Sequence, residues 1–149
     1  MNIEPMDRCH LKAVMEIERE SFPIPWTKRE MRLAALKQAF FSSLVVTQEE
    51  TVLAYSVVAL LGDTTREVLN FAVAREFRFQ GVGTALMEFL KERDRRPLWI
   101  RLCGENLPGY AFLEKCGFKL RLKELRKFHG RRYTELSFCY NPARVDNEA

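Results

Sequence analysis

Near the middle of the chain stands Arg78-Phe79-Gln80-Gly81-Val82-Gly83-Thr84, between an apolar segment that ends near Ala74 and a helical pattern that follows it. The first turn of a helix carries unpaired N–H groups and a partial positive charge, so a strand, a glycine loop and a helix in this order form an anion site. Glycine lets the backbone approach a ligand that a side chain would hold away. The segment therefore predicts a phosphate-binding loop, to which Arg78 adds a charged contact.

Two common phosphate motifs do not fit this loop. A P-loop requires Gly-Lys-Ser/Thr, whereas Gly83 is followed directly by Thr84. A dinucleotide fingerprint requires a small residue three positions after its second glycine, where this chain has Leu86. It also requires an acidic ribose partner near the position that Arg101 occupies. Both motifs are therefore excluded.

Apolar periodicity on either side of the loop predicts the element order β-α-α-β-β-β-α-β-α-β-β, a mixed α/β domain. Thr27 and Glu30 have the spacing of a capping box at the start of the second helix, and Asn106 is a candidate N-cap for the fourth. A chain of 149 residues has the length of one domain. We therefore expect a single domain over residues 1–149, with a flexible tail at 144–149.

Basic residues concentrate in the predicted final hairpin, whose arms run from Phe118 to Phe128 and from Arg131 to Tyr140. Seven Lys/Arg and one Glu lie between Lys119 and Arg132, a local charge of +6 in a chain of net charge +4. Apolar and basic residues alternate in the first arm, so we expect one core face and one solvated face, with a bulge after Lys123. The basic segment would suit phosphates, an acidic substrate or water.

The composition limits the partners and the compartment. Apolar residues make up 47% of the chain, and no run approaches the length of about 20 apolar residues that spans a bilayer. The first residues lack the features of a signal peptide, so we expect a cytoplasmic protein. We expect no membrane partner. We expect the protein to be a monomer or a homodimer. Phe128 and Tyr133 are too few aromatic residues for a nucleic-acid stacking platform, so no nucleic acid is expected.

Metal binding is not expected either. The four cysteines have no C-x-x-C spacing, and the chain has two histidines. Reduced, packed thiols are the favoured interpretation of the cysteines, and a Cys103–Cys116 disulfide is the alternative.

The loop Arg78-x-x-Gly81-x-Gly83 resembles R-x-x-G-x-G, the acyl-CoA signature of the GNAT acetyltransferase superfamily. Downstream, Asn106-x-x-Gly109 followed by residues 112–118 is similar to the superfamily's second motif, N-x-x-A-x-x-F-Y-E-K-x-G-F, at the appropriate distance from the first. The segment 69–73 followed by Phe77 to Gly83 is close to the bacterial ribosomal-protein alanine N-acetyltransferase group. The early stretch Ser21-Phe22-Pro23 with Trp26-Thr27 is close to the same group. The resemblance extends from about Ile3 to Tyr140.

This resemblance implies the GNAT fold, a mixed central sheet of about seven strands with four helices. In that fold two central parallel strands, here Glu67–Ala74 and Pro97–Cys103, splay apart around the coenzyme. The implied co-substrate is acetyl-CoA. The implied coenzyme-binding residues are Phe71, Ala72 and Val73 along the pantetheine arm, Arg78, Phe79, Gln80, Gly81, Val82, Gly83 and Thr84 around the pyrophosphate, and Asn106 beside the coenzyme arm. Core packing and helix capping are alternative roles for Phe71, Val73 and Asn106.

Both catalytic groups typical of these relatives are replaced in this chain. Leu113 stands where the family usually has a tyrosine acid, and Arg101 stands where the alanine N-acetyltransferases have a glutamate base. Neither side chain can perform those proton transfers at neutral pH. Glu67 matches the strand glutamate that serves as base in the histone-acetylating branch, so it is our candidate base, with a solvated charge paired to Arg66 or a neighbour as the alternative. Tyr110, one turn before Leu113, is a candidate acid, with packing or substrate contact as the favoured alternatives.

The implied activity is acetyl transfer from acetyl-CoA to a primary amine, by direct attack of the neutral amine on the thioester. We expect a peptide or protein N-terminus as the acceptor. Two other classes fit the same residues: an acetyltransferase for small-molecule amines, and a coenzyme-A-binding GNAT protein without catalysis. General acid help is typically worth about 10²–10⁴-fold, so loss of the tyrosine acid predicts a slow enzyme unless the acid comes from elsewhere.

Overall fold

A computed structural model describes residues 1–144 of the chain, so the predicted tail lies outside the described residues from position 145 onward. Within residues 1–144, seven strands and four α-helices follow one another in the predicted order. They are β1 (Asn2–Pro5), α1 (Leu11–Ser21), α2 (Lys28–Leu36), β2 (Phe41–Gln48), β3 (Thr51–Leu61), β4 (Thr65–Val73), α3 (Val82–Arg93), β5 (Leu98–Cys103), α4 (Leu107–Lys115), β6 (Lys119–Phe128) and β7 (Arg131–Tyr140). The predicted element order and α/β class are confirmed.

The strands form one mixed sheet with the order β1-β2-β3-β4-β5-β7-β6. Only β4 and β5 run parallel, because α3 carries the chain back across the sheet between them, and the other neighbours are antiparallel. This sheet and its four helices confirm the predicted GNAT architecture.

Pairing between β4 and β5 is short. It comprises Arg66 with Leu98, Glu67 with Trp99, and Val68 with Ile100. β4 continues through residues 69–73 and β5 through residues 101–103 without pairing to each other, so the two strands part at this point. The predicted splay is therefore present.

Two apolar cores lie on opposite faces of the sheet. One contains α3, α4 and residues of β3–β5 and β7, and the other contains α1, α2 and residues of β2–β4. The predicted caps hold the helix ends: Thr27 and Glu30 form a reciprocal capping box at the start of α2, and the Asn106 side chain accepts from the Gly109 N–H at the start of α4. Both predictions of local structure are confirmed.

The prediction for the first arm of the final hairpin was wrong in two respects. β6 is an edge strand, and Leu120 and Leu122, which the alternation places on the core face, are both exposed, as is Leu125. The register shift lies between Leu120 and Leu122, where Arg121 is inserted, and not after Lys123. Because a bulge reverses the faces of the residues that follow it, Leu122 turns away from the face that Leu120 shares with Phe138.

A buried arginine ties β4 to the end of α3. Arg66 is 2% exposed, and its guanidinium donates to the main-chain carbonyls of Leu90, Asp94 and Arg96 at 2.7–3.2 Å. Burial lowers the pKa of Arg66, an effect that the nearby Asp94 carboxylate opposes. The last carbonyls of a helix lack intrahelical donors, so this side chain acts as a C-terminal cap from another element.

We expect Arg66→Met to lower the free energy of unfolding by about 2–4 kcal/mol, because it keeps the apolar stem and leaves buried carbonyls without donors. Urea unfolding followed by circular dichroism measures this. Arg29→Met, at an exposed position of α2, is the matched control and should change stability by less than about 0.5 kcal/mol. Equal stability of the two variants would contradict the assigned role of Arg66.

Candidate active site

The start of α3 presents free main-chain donors. Gly81 is the N-cap, and its carbonyl accepts the first intrahelical bond from the Ala85 N–H at 3.0 Å. The amides of Val82, Gly83 and Thr84 precede that bond, so they have no acceptor within the helix. Together with the helix dipole they form an anion cradle.

The two glycines of the cradle serve different purposes. Gly81 has φ +85°, in the left-handed region that favours glycine, and a Cβ there would meet open space. A Cβ on Gly83 would lie 3.3 Å from Val73 Cγ2 and 3.7 Å from Phe112 Cε1. Gly81 therefore shapes the turn and leaves room above it, whereas Gly83 lets α3 pack closely on the end of β4.

Side chains around the loop fix it to the rest of the fold. Arg78 Nε donates to the Val73 carbonyl at 3.0 Å, and its Nη2 donates to Ser21 Oγ at 3.1 Å. Gln80 Nε2 donates to the Glu76 carbonyl at 3.1 Å. The expected charged contact from Arg78 stays a prediction, since the structure shows its guanidinium anchoring the loop to β4 and α1.

The predicted pantetheine strand lies beyond the last β4–β5 pair. Phe71, Ala72 and Val73 pair with β3 on one side, and their other main-chain edge faces the gap. The Phe71 ring lies 5.7 Å from that of Phe112. Asn106, on the far side of the gap, is exposed and uses Oδ1 to cap α4. The contacts of these residues with the coenzyme remain predictions.

Glu67 and Arg101 form a close ion pair. Arg101 donates to Glu67 Oε1 from Nε at 2.7 Å and from Nη2 at 2.6 Å, and this contact raises the pKa of Arg101. Glu67 pairs in the sheet with Trp99, and Arg101 lies two residues further along β5, so both side chains project from the same face. The partner of Glu67 is thus Arg101 and not Arg66, which points to the opposite face and contacts α3.

The pair continues into a charged network on the same face. Arg101 Nη1 lies 3.9 Å from Glu135 Oε1, and Arg126 lies within 3.4 Å of both Glu135 and Glu124. Glu67 and Glu135 are the most buried members, whereas the two arginines are about half exposed. The Glu67 and Glu135 carboxylates therefore lie deeper on the sheet surface than the two guanidinium groups.

Leu113, at the position where the resemblance implies a tyrosine acid, lies in the apolar core. Leu113 is buried among the residues of α3 and β7, and Tyr110 packs its ring edge-on against Phe138 at 5.2 Å. Packing thus accounts for both side chains, and a role of Tyr110 as acid stays a prediction.

Sequence reasoning missed a buried carboxylate next to the gap. Glu18 of α1 is 1% exposed and accepts hydrogen bonds from the Tyr55 hydroxyl, from Asn70 Nδ2 at 2.9 Å and from the Trp26 N–H at 2.8 Å. Burial and the bond to Glu18 raise the pKa of Tyr55 above its ordinary range. The available signal was the position of Glu18 among the apolar residues of one helix face, where a charge requires buried partners.

A pocket of about 310 Å³ lies above this carboxylate. Its walls are apolar, from the turn between α1 and α2 and from β4, and its floor is polar. Asn70 is 6% exposed, and within residues 1–144 its Oδ1 accepts no hydrogen bond. The lining residues are Glu18, Phe22, Pro23, Ile24, Trp26, Leu69 and Asn70. Leu69 and Asn70 are the first residues of β4 after its last pair with β5, so the pocket opens at the splay.

The anion cradle, the splayed strands and the pocket together suit an extended, phosphorylated ligand. The description "Acetyltransferase (GNAT) family" belongs to the family profile that matches residues 11–118, and the chain belongs to this family. It is an N-acetyltransferase, and acetyl-CoA dependence is implied by the family. The predicted family membership is confirmed.

The chain is similar in sequence to two bacterial proteins that are named as ribosomal protein bS18-alanine N-acetyltransferases. The chain is 28% identical over 123 residues to a Bacillus subtilis (strain 168) protein that is provisionally named a ribosomal protein bS18-alanine N-acetyltransferase, covering 80% of this chain and 78% of the relative. It is 26% identical over 120 residues to the enzyme of that name from Escherichia coli (strain K12), covering 78% and 79%. The resemblance to the bacterial alanine N-acetyltransferase group is thereby confirmed.

Solved structures show the same fold. The crystal structure of the E. coli ribosomal-protein-S18-alanine N-acetyltransferase superposes with a TM-score of 0.78 at 20% identity, covering 93% of this chain and 91% of that one. Arabidopsis thaliana NAA60 in complex with acetyl-CoA gives a TM-score of 0.82 at 14% identity, covering 94% and 98%. The seven-stranded sheet and its helices therefore match the GNAT neighbours.

No helix within residues 1–144 is long and apolar enough to cross a membrane, and no group of three or more His, Cys, Asp or Glu side chains there is placed to hold a metal ion. All four cysteines are free, so the Cys103–Cys116 disulfide is not formed.

Gly81→Glu should bind coenzyme A at least about tenfold more weakly than Gly81→Ala. Both substitutions strain the same left-handed position, but only glutamate brings a carboxylate to the anion cradle, where like charges repel. Isothermal titration calorimetry at low ionic strength measures the two affinities. Equal affinities would show that the cradle does not hold the pyrophosphate.

Proposed function

We propose that this protein is an acetyl-CoA-dependent enzyme that acetylates the N-terminal amine of a peptide or protein in the cytoplasm. The observation that carries the proposal is the pocket above Glu18, which opens where β4 and β5 part. An acceptor seated in this pocket would place its amine beside the gap that the coenzyme arm is expected to occupy. The relatives named as ribosomal protein bS18-alanine N-acetyltransferases support such an acceptor.

The chain fits acetyl-CoA on two independent grounds. The free amides of Val82, Gly83 and Thr84 and the open space at Gly81 suit a pyrophosphate. The main-chain edge of residues 69–73 is left without a β5 partner, so it can pair with the amides of a pantetheine arm. The coenzyme supplies an acetyl thioester, and the residues of the chain hold and orient it.

The pocket also fits the first residue of a polypeptide. Its walls, formed largely by Phe22, Pro23, Ile24 and Trp26, suit an apolar or small side chain. At its floor the Glu18 carboxylate and Asn70 Oδ1 are hydrogen-bond acceptors, and Oδ1 has no donor within residues 1–144. An N-terminal residue brings N–H donors next to an apolar side chain, which matches this arrangement.

The amine must lose a proton before it attacks, because a terminal ammonium group is largely charged at neutral pH. Glu67 is our proposed base. It lies on the face that the acceptor would approach, and both of its contacts with Arg101 go to Oε1. Oε2 is therefore outside that pair, and Arg101 holds the carboxylate in a fixed orientation. The oxyanion of the tetrahedral intermediate would be stabilised by main-chain N–H groups of the splayed part of β4.

An acceptor screen tests the proposed substrate class. Release of free thiol from acetyl-CoA is measured with a panel of N-terminal peptides and a panel of small amines, polyamines and amino acids. We expect turnover with peptides that have a free N-terminus, and none with the same peptides blocked at that amine. Faster turnover of small amines would identify a small-molecule acetyltransferase, and coenzyme binding without turnover of either panel would identify a binding protein.

Glu67→Gln should lower kcat with the best peptide by about 10²–10⁴-fold, the usual contribution of a general base. Its affinity for coenzyme A should not change, because Glu67 lies away from the cradle. Glu124→Gln is the matched control, since it removes a more exposed carboxylate from the same network. An unchanged kcat in Glu67→Gln would eliminate Glu67 as the base.

A further inference from the structure

Phe79 is the aromatic side chain of the anion loop that projects into solvent. It is fully exposed to solvent, and its φ of +63° places it in the left-handed region, which is rare for a bulky residue. Exposure of a whole phenyl ring forgoes hydrophobic stabilisation, and the backbone conformation adds strain. Neither cost is offset by a contact within the described residues, so the whole ring is free to contact a ligand.

The loop holds Phe79 outward in a fixed position. Arg78 on one side is anchored to the Val73 carbonyl and to Ser21 Oγ, and Gln80 on the other is anchored to the Glu76 carbonyl. Phe77 packs against both apolar cores, so the same short segment has one aromatic ring inside and one outside. The exposed ring is thus preorganised, and a ligand would meet it with little loss of conformational entropy.

The position of the ring relative to the cradle identifies the ligand group. Phe79 precedes the free amides of Val82–Thr84 by three residues. A coenzyme whose pyrophosphate lay on these amides and whose pantetheine arm entered the β4–β5 gap would leave its adenosine on the solvent side of the loop, where the Phe79 ring is fully exposed. The geometry points to Phe79 as a stacking platform for the adenine ring of the coenzyme.

The chemistry of the loop suits a flat ring better than a protein surface. Protein docking sites are contiguous apolar patches, whereas the sequence neighbours of Phe79 are Arg78 and Gln80, and Glu76 is close behind. A purine offers a single aromatic face, and stacking of one base on an aromatic side chain contributes substantially to binding. One isolated, rigid ring beside a phosphate cradle therefore matches an adenine nucleotide.

The contact presupposes acetyl-CoA as the proposed co-substrate, so the test uses ligands with and without adenine. Calorimetry compares coenzyme A with 4′-phosphopantetheine, which keeps the thiol arm and one phosphate. Phe79→Ala should raise the Kd for coenzyme A about tenfold or more and leave the Kd for 4′-phosphopantetheine within about twofold. Phe79→Trp should retain wild-type affinity for both ligands.

Two controls separate stacking from other effects. Phe79→Gly relieves the strain at positive φ, so it should unfold at or above the wild-type temperature yet lose coenzyme A affinity as Phe79→Ala does. Phe128→Ala, which removes an exposed ring at the end of β6, should change neither affinity.

Three results would overturn the assignment: an unchanged coenzyme A affinity in Phe79→Ala, equal weakening of both ligands, or a wild-type protein that does not distinguish them. Failure of the wild-type protein to bind coenzyme A would contradict both acetyl-CoA as the co-substrate and the stacking contact. The expected binding pattern without acetylation of any N-terminal peptide would remove only the proposed acceptor.

Discussion

The short parallel pairing between β4 and β5 is the constraint on which the rest of the structure depends. A parallel pair that continued beyond Val68 and Ile100 would use the main-chain groups of residues 69–73 within the sheet. Because pairing stops there, one edge of β4 stays available while its other edge remains fixed to β3. β4 is thus held rigidly by β3 on one side and open to the gap on the other. The anion cradle at the start of α3 follows the end of this strand.

Buried polar side chains fix the positions of the helices relative to β4, on both faces of the sheet. On one face, Arg66 links β4 to the C-terminal end of α3. On the other, Glu18 links α1 to β3, to β4 and to the turn that forms the pocket wall. A buried carboxylate is retained only when donors surround it, so the Glu18 network fixes the turn that carries Trp26 as well as the strand that carries Asn70. The pocket above Glu18, the proposed acceptor site, is therefore built on a core interaction and not on a loop alone.

Much of this arrangement was predictable, because local signals determine it. The capping residues Thr27 and Asn106, the glycine at position 81 and the periodicity of the helices each depend on a few neighbours in sequence, and the structure confirms them. The exposure of β6 was not predictable in the same way. Alternation shows which side chains share a face, but it does not show whether another element covers that face, and Leu125 has none to bury it fully.

The residues of the site also divide into those determined by local sequence and those determined by tertiary contacts. The cradle follows from the order of strand, glycines and helix, which is local. The partner of Glu67 depends on the register between β4 and β5, which brings Arg101 to it from 34 residues away. The anchoring role of Arg78 depends on Ser21 in another helix. Tertiary contacts such as these are invisible to patterns read along one segment.

Arg101 changes the electrostatics of the sheet face that carries Glu67 less than its sequence position suggests. Arg101 is neutralised locally by Glu67, and the network on this face contains the carboxylates Glu67, Glu124 and Glu135 against two guanidinium groups. Its formal charge is therefore slightly negative, although the hairpin that carries part of it is strongly basic. A positively charged amine approaching this face meets carboxylates held by arginines rather than an uncompensated arginine. Local pairing, and not the charge of the segment, thus determines the electrostatic character of this face.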